Sequence, residues 1–435
     1  MVTKEIKYKA TLKDKFLGLM ASYILFLIIY NFSGWYVSNI GNVDSFVFRF
    51  EYHIPFLSWM IVPYMSSGLL FGLVFFMCSS RNQLILLTKR INFITIVSGL
   101  CFIIFPLKYS FVKPEVETPL LNLCYQFLNS WDTNYNQAPS LHISYACVFW
   151  SILRTELNGR WKTAAEVWLL IMSISTLTIY QHHFIDIVAA LLLVCVTFLV
   201  FPNNKNRNFR IQFIFFLSGM LFILMALLVY QYISISGLLI LWVSLALFLV
   251  GMAYGNSNAR FLKRKDGTIS MINTILYFPY IFTYKIMRRF FCKNNKQPVR
   301  EVFPHIFVGA MLYSAKLVNE FGIDDKTIVI DLSAEVEENK MIRQNSIYYS
   351  FPILDVGDAS KEYVTSIVDL ICEKYKILQP GEKIHIHCLM GYSRSVYIAA
   401  MFIKRYLNIS TEKAIAIVSE RYPEAIFPRY FSNLL

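Results

Sequence analysis

Eight apolar runs, each long enough to cross a hydrocarbon layer of about 30 Å, follow one another through the first 254 residues. They lie near 16–37, 56–78, 91–109, 140–157, 163–181, 184–201, 211–232 and 236–254. A buried helix of a soluble protein explains one such run but not eight in succession. Hydrophobic residues make up 56% of the 435 and charged ones only 16%, where a soluble globule carries about 25%. A wholly soluble fold is thereby excluded. With Gly 17, Pro 14 and Cys 8, so are collagen-like, disordered and disulfide-scaffold classes. The first run is long and lacks a small-x-small cleavage pattern, so it is expected to remain as a span.

The net charge of +13 invites a nucleic-acid reading, but the basic residues cluster at the ends of the apolar runs. Lys4, Lys7, Lys9, Lys13 and Lys15 precede the first run, and Arg81, Lys89 and Arg90 lie between the second and third. Arg154, Arg160 and Lys162 separate the fourth and fifth, Lys205, Arg207 and Arg210 follow the sixth, and Arg260, Lys263, Arg264 and Lys265 follow the eighth. The alternate loops hold only Arg49, Lys108 and Lys113. This asymmetry predicts eight spans with both termini in the cytoplasm, membrane lipids as surroundings and no nucleic-acid partner. Residues 269–287 are apolar enough for a ninth span, but basic clusters flank both ends and Pro279 interrupts, so an interfacial segment is expected. The cysteines are scattered without a Cys-x-x-Cys pair, and no metal or cofactor motif is found.

Two polar segments interrupt the apolar half. Pro139-Ser140-Leu141-His142 opens the fourth run, where Pro139 suits a first helical turn and free backbone N–H groups would face an anion. His182-His183-Phe184-Ile185-Asp186 lies between the fifth and sixth. His182 and Asp186 are four apart, the spacing of one helical face, so the carboxylate would orient the imidazole. By the predicted topology both segments open on the same outer side. Two histidines and a carboxylate there suffice for phosphoryl transfer through phosphohistidine, with one nucleophile and one acid for the leaving group. His183 is expected to support rather than react.

At these residues the chain resembles the type 2 phosphatidic acid phosphatase (PAP2) superfamily, in the branch that contains inositol phosphorylceramide synthases. The family's Pro-Ser-Gly-His corresponds to residues 139–142, and its Ser-Arg-x5-His-x3-Asp to Ser175-Thr176, five residues, His182 and Asp186. The resemblance implies His182 as nucleophile, Asp186 as its orienter, His142 as leaving-group acid and Ser140 as phosphate ligand. Thr176 stands where the family has a phosphate-binding arginine, and Leu141 where it has glycine. The first family motif is degenerate in Lys108-Tyr-Ser-Phe-Val-Lys113-Pro114, so the phosphate-binding cation is expected to be Lys108, with Lys113 or another cation as the alternative.

After residue 295 charge rises and long apolar runs stop. Strands are predicted at 306–309, 327–332, 347–353 and 383–387, and helices at 315–321, 360–377, 395–406 and 411–421, which makes a compact α/β domain. The strand Lys383–His387 runs directly into Cys388-Leu-Met-Gly-Tyr-Ser-Arg394-Ser395. Five residues between Cys388 and Arg394 let backbone N–H groups converge on a phosphate while the guanidinium closes the fork. Arg394 and the following helix are expected to favour the Cys388 thiolate, Gly391 to permit the turn, and Ser395 to hydrogen-bond the departing sulfur. The leaving alkoxide needs a carboxylic acid, and Asp355 is the first choice, with Asp358 the second.

This segment resembles the dual-specificity branch of the protein tyrosine phosphatases. His387-Cys388-x5-Arg394-Ser395 matches that family's signature, and Asp355 lies 33 residues before Cys388, where the branch places its acid. The resemblance implies Cys388 as nucleophile, Arg394 as phosphate clamp and Asp355 as acid and then base. The loop residues 389–393 include no Lys or Arg, which weighs against multiply phosphorylated inositol substrates.

The order of the two regions matches bacterial fusions of a PAP2 domain with a dual-specificity phosphatase. The expected organisation is a multi-span α-helical membrane domain over 1–255, a basic, aromatic linker over 256–295 and an α/β cysteine-phosphatase domain over 296–435. The expected setting is a bacterial inner membrane, with one phosphate-transfer site outside, acting on lipid phosphates, and one inside, acting on phosphorylated protein or lipid. The alternatives are a PAP2-like half that is an inactive anchor or lipid sensor, or one that passes phosphate to an alcohol. A proton-relaying transporter has no internal inverted repeat in its favour.

Overall fold

Each of the eight apolar runs folds as a helix, because a chain with few polar side chains can satisfy its backbone groups only internally. The computed structural model describes residues 8–203, 206–291 and 299–428. Lys4, Lys7 and Lys205, used above, lie outside them. The chain divides into two compact units, one of residues 1–204 and 220–240, the other of 205–219 and 241–435.

The first unit contains α1 (Leu12–Ser38), α2 (Ile61–Met77), α3 (Arg81–Ile104), α4 (Pro119–Trp131), α5 (Leu141–Glu156), α6 (Gly159–Thr178) and α7 (Phe184–Val200). The sequence reading did not include α4. It is amphipathic rather than uniformly apolar, and it buries Tyr125 and Leu128. By length and composition five helices could cross a membrane: Leu12–Ser38, Ser58–Met77, Arg81–Ile104, Arg207–Tyr232 and Ile235–Gly255, while Phe184–Val200 is apolar but shorter. Helix α5 packs against α2, α3, α6 and α7 and buries most of its length, including Ser144 and Ser151. It is the enclosed helix of this unit, and its first turn carries His142.

Helix α8 (Arg207–Tyr232) begins in the second unit, which continues with α9 (Ile240–Gly255), α10 (Met271–Leu276) and α11 (Phe278–Phe291). The segment expected to act as a linker packs into this unit. Leu262, Tyr277, Tyr280 and Ile281 share a core with Tyr254, Met311, Leu354 and Leu389.

Five strands follow: β1 (Val299–Phe303), β2 (Ile306–Ala310), β3 (Thr327–Ser333), β4 (Ile347–Ile353) and β5 (Lys383–Cys388). Their spatial order is β1-β2-β5-β3-β4, with β1 antiparallel to β2 and all other pairs parallel. Every residue of β3 is buried, the mark of a strand covered on both faces. On one face Ile328, Ile330, Leu332, Ile384 and Ile386 meet α14 (Lys361–Lys376), α15 (Arg394–Leu407) and α16 (Thr411–Arg421). On the other, Val329 packs with Val318 of α12 (Ala315–Phe321) and Ile342 of α13 (Lys340–Asn345). The four predicted strands and four predicted helices recur within one or two residues, while β1 and α13 were not foreseen. In this mixed sheet β5 lies between β2 and β3, so its C-terminal end opens into the crevice typical of parallel sheets.

Candidate active sites

The cysteine site grows out of β5. Cys388 pairs in register with Ala310 of β2, and the residue before it, His387, with Asp331 of β3. The chain then turns sharply and enters α15 at Arg394. Gly391 makes the turn possible. Its φ of +83° is left-handed, and a Cβ there would stand 2.5 Å from the Ala310 amide nitrogen. Its N–H donates to Cys388 Sγ at 3.3 Å, and Ser395 Oγ lies 3.6 Å from the same sulfur. Cys388 is buried, with the Gly391 amide pointing at its sulfur.

Arg394 is held by its Nη1, which donates to Glu335 Oε1 at 2.7 Å and to the Ile353 carbonyl at 2.8 Å. Nε makes no hydrogen bond among the described residues, and Nη2 lies 3.4 Å from Asp355 Oδ1. One nitrogen of the guanidinium, Nη1, is therefore anchored, while Nη2 stands beside Asp355. Burial disfavours the charge on Arg394, but Glu335, Asp355 and the Cys388 sulfur beside it prevail and hold its pKa above the ordinary value. The expected acid, Asp355, thus stands beside the expected clamp. Asp358 instead accepts from the Arg207 backbone N–H at 2.7 Å through Oδ2.

A second buried polar layer lies behind the cysteine. His387 Nε2 is 2.9 Å from Glu338 Oε2. Burial works against a charged His387 ring, but Glu338 and Asp331 outweigh it and raise its pKa. Lys263 donates to Asp331 Oδ2 and to the Ser333 carbonyl and hydroxyl, and Tyr348 donates to Asp331 at 2.6 Å. Asp331, Glu338 and His387 bring their ligand atoms within 4.8 Å of one another, a grouping a metal could use. The Lys263 ammonium already supplies the cation at Asp331. Glu335 and Glu338 escaped the sequence reading, and Lys263 entered it only as a loop charge, since nothing in their spacing ties them to Cys388.

In the helical unit His142, His182 and Asp186 converge. The His142 and His182 ring centres are 6.1 Å apart, and His182 Nδ1 lies 3.1 Å from Asp186 Oδ2. Local structure differs from expectation in two places. His182 and Asp186 do not share a helical face, because α7 starts at Phe184 with His183 as its cap. Asp186 turns back over the helix start and also accepts the His183 N–H at 2.9 Å. Pro139 is not in the first turn of α5, which begins at Leu141 after Ser140. Ser140 is fully buried, its N–H donates to the Asp186 carbonyl at 3.1 Å, and its hydroxyl has no partner among the described residues.

Lys108 is exposed and its side chain makes no hydrogen bond or ion pair among the described residues. Lys113 is nearer the site. Burial pushes its ammonium below the ordinary range and Asp132 pulls it back up. Thr176 is buried, with Oγ1 donating to the Ser173 carbonyl at 2.7 Å. His183 is a fixture: Nδ1 is 3.0 Å from Glu51 Oε2, Nε2 is 3.1 Å from Ser110 Oγ, and Tyr109 stacks on the ring at 4.3 Å.

The histidines line a cavity of about 510 Å³ whose other walls include Leu27, Phe71, Phe127 and Tyr145. Its polar wall is Asp132, which accepts from Tyr30 and, at 3.1 Å, from Tyr64, the residue stacked on His142 at 4.0 Å. Glu51, Asp132 and Tyr64 were not foreseen. A lone acid in an aromatic stretch, Phe48 to His53, was the available signal for the first.

Known proteins resemble both regions. Residues 311–435 match the family described as the dual specificity phosphatase catalytic domain, and residues 124–200 match the PAP2 superfamily. Tyrosine-protein phosphatase vhp-1 of Caenorhabditis elegans is 30% identical over 132 residues, which is 30% of this chain and 19% of that protein. A putative tyrosine phosphatase 067L of Invertebrate iridescent virus 3 is 32% identical over 95 residues, 20% of this chain and 38% of that protein. The chain thus spans well under half the length of either relative. The crystal structure of a human tyrosine phosphatase-like serine/threonine/tyrosine-interacting protein is 20% identical, covering 31% of this chain and 91% of that one with a TM-score of 0.26. One chain therefore carries both a PAP2-superfamily region and the catalytic domain of the dual-specificity phosphatases, a class of phosphoric monoester hydrolases.

Proposed function

We propose that this chain is an integral membrane phosphatase with two phosphate-transfer sites. The cysteine site hydrolyses phosphomonoesters of proteins or lipids on the cytoplasmic side, a reading supported by the asymmetry of the basic loops. The observation that carries this reading is the cradle itself: a buried Cys388 under the Gly391 amide, with Arg394 anchored by Glu335 through Nη1 and beside Asp355 through Nη2. The Cys388 thiolate forms the S–P bond as the P–O bond to the leaving group breaks, and Asp355 gives its proton to the departing oxygen. The Asp355 carboxylate then takes a proton from water as that oxygen attacks phosphorus. The S–P bond breaks, the thiolate returns and inorganic phosphate leaves.

The histidine site acts on lipid phosphates from the outer side. The support is a mainly apolar cavity whose lining also holds His142, His182, Asp132, Tyr30 and Tyr64, a composition suited to an acyl chain with a phosphate head. His182 forms the N–P bond as the P–O bond to the leaving group breaks, and His142 protonates the departing oxygen. His142 then takes a proton from the water that attacks phosphorus, the N–P bond breaks and inorganic phosphate leaves. A specific observation favours a second reading for this half, as a catalytically weak or inactive anchor or lipid sensor. Thr176 spends its hydroxyl within its own helix and brings no positive charge to the phosphate.

Purified full-length protein tests both. Release of phosphate from p-nitrophenyl phosphate should fall on the order of 10³-fold or more in Cys388→Ser, and phosphatidic acid dephosphorylation should collapse in His182→Ala. Unchanged aryl phosphatase activity in Cys388→Ser would sink the cysteine mechanism. Unchanged lipid turnover in His182→Ala would favour the anchor.

A further inference from the structure

The segment 355–358 is held in an unfavourable conformation by residues far outside the phosphatase match. Val356 has a φ of +58°, a region that β-branched residues avoid. Such strain persists only where the surroundings over-determine it. Those surroundings come from three helices that precede the sheet. Asn208, in the first turn of α8, accepts the Asp358 N–H at 2.7 Å and donates to the Asp358 carbonyl at 3.1 Å. Tyr254, in the last turn of α9, donates to the Asp355 carbonyl at 2.7 Å. Tyr284, on α11, donates to Asp355 Oδ2 at 3.3 Å. Asn208 and Tyr254 are buried to within 1%. Gly357 fits because a Cβ there would stand 2.7 Å from Asn208 Oδ1.

We propose that Asn208, Tyr254 and Tyr284 are positioning residues for the acid step, so that the phosphatase site is completed by the apolar helices α8 and α9 and by α11. This rests on the reading of Asp355 as the general acid. Tyr284 donates to Oδ2 while Oδ1 lies 3.4 Å from Arg394 Nη2, so the tyrosine hydroxyl fixes the rotation of the carboxyl group and with it the position of Oδ1. Asn208 and Tyr254 fix the backbone on either side of the strained residue, which sets where that oxygen points. Activation of the acid is therefore tied to the seating of two helices that are long and apolar enough to cross a membrane.

The test uses the full-length protein, with the residual rate of Cys388→Ser subtracted. Tyr284→Phe and Tyr254→Phe keep the ring and remove only the hydroxyl, and Asn208→Ala removes the clamp. An acid matters most when the leaving oxygen is strongly basic, so phenyl phosphate is compared with p-nitrophenyl phosphate. The expected result is a fall in kcat of about tenfold to a hundredfold on phenyl phosphate, a smaller fall on p-nitrophenyl phosphate and an unchanged KM, since acid catalysis is worth about 10²–10⁴-fold in full. Asp355→Asn must show the same leaving-group dependence, more strongly. If it does and the three variants lose activity equally on both substrates, or on neither, the positioning role is overturned while Asp355 stands. If Asp355→Asn shows no such dependence, the acid assignment itself falls.

Discussion

Gly391 is where a single missing carbon decides whether a phosphate can be bound. Its left-handed φ and the 2.5 Å approach that a Cβ would make to the Ala310 amide are independent obstacles to any other residue. Gly391→Ala must therefore push the loop away from β2, and the amide that points at Cys388 moves with it. Misplacement of about 1 Å at a reacting centre costs about 10²-fold in rate. The expected outcome is a loss of that size in kcat/KM on p-nitrophenyl phosphate, with little change in the lipid reaction of the histidine site. Full activity in the alanine variant would mean that the loop is not held against β2. Ser395, close to Cys388 Sγ, was foreseen from its place in the motif. Glu335, which anchors the clamp, was not, because 59 residues separate it from Arg394.

Among the elements, the start of α7 shows how polar groups are gathered in an apolar unit. Three segments meet there: the short 3-10 turn 49–53, the extended stretch around Ser110, and α7 itself. Glu51 joins them. It accepts the Phe48 N–H at 2.8 Å and the Phe184 N–H at 3.0 Å, and it pairs with His183. Each buried donor left unpaired costs about 1–3 kcal/mol. Glu51→Ala is expected to lower the melting temperature of the purified protein and its turnover of phosphatidic acid together. Glu51→Gln retains an acceptor oxygen and should recover part of both. A melting temperature unchanged by Glu51→Ala would show that this junction does not hold the site. The histidine spacing was legible in the sequence. The cap that brings His182 to Asp186 was not, since periodicity cannot tell a helix start from a helix interior.

For the molecule as a whole, the boundary of the phosphatase unit matters most. Residues 256–291 look like a linker by composition, yet Lys263 is buried and donates to Asp331, and Leu262 and Tyr280 lie in the core with Leu389. Burial raises the Asp331 pKa, but Lys263 and His387 pull it down further, to about 2. A depressed carboxylate stabilises the fold above its unfolded pKa of about 3.9 and loses that contribution as pH falls towards the folded value. Lys263→Met strands a buried charge, at a cost of about 3–5 kcal/mol near neutral pH. That penalty should shrink below about pH 4, as Asp331 takes up a proton, and Asp331→Asn added to Lys263→Met should recover part of it. A fragment of residues 296–435 should melt below one that retains 256–295. Equal melting of the two fragments, or a Lys263→Met penalty that grows in acid, would show that this pair does not support the unit.

What the sequence determined by itself is what short-range physics carries. Eight apolar runs had to become helices, alternating strands and amphipathic helices had to make a layered α/β domain, and Cys-x5-Arg between a strand and a helix had to form a phosphate-sized loop. His142, His182 and Asp186 were legible for the same reason, since each sits in a short motif whose spacing carries the chemistry. Tertiary structure alone decided the partners of those groups. Glu335 reaches Arg394, Glu51 reaches His183, Lys263 reaches Asp331 and Tyr284 reaches Asp355 across separations of 59 to 132 residues. No local pattern encodes such pairings, because a buried charge selects whichever counter-charge the packed elements bring within hydrogen-bond distance.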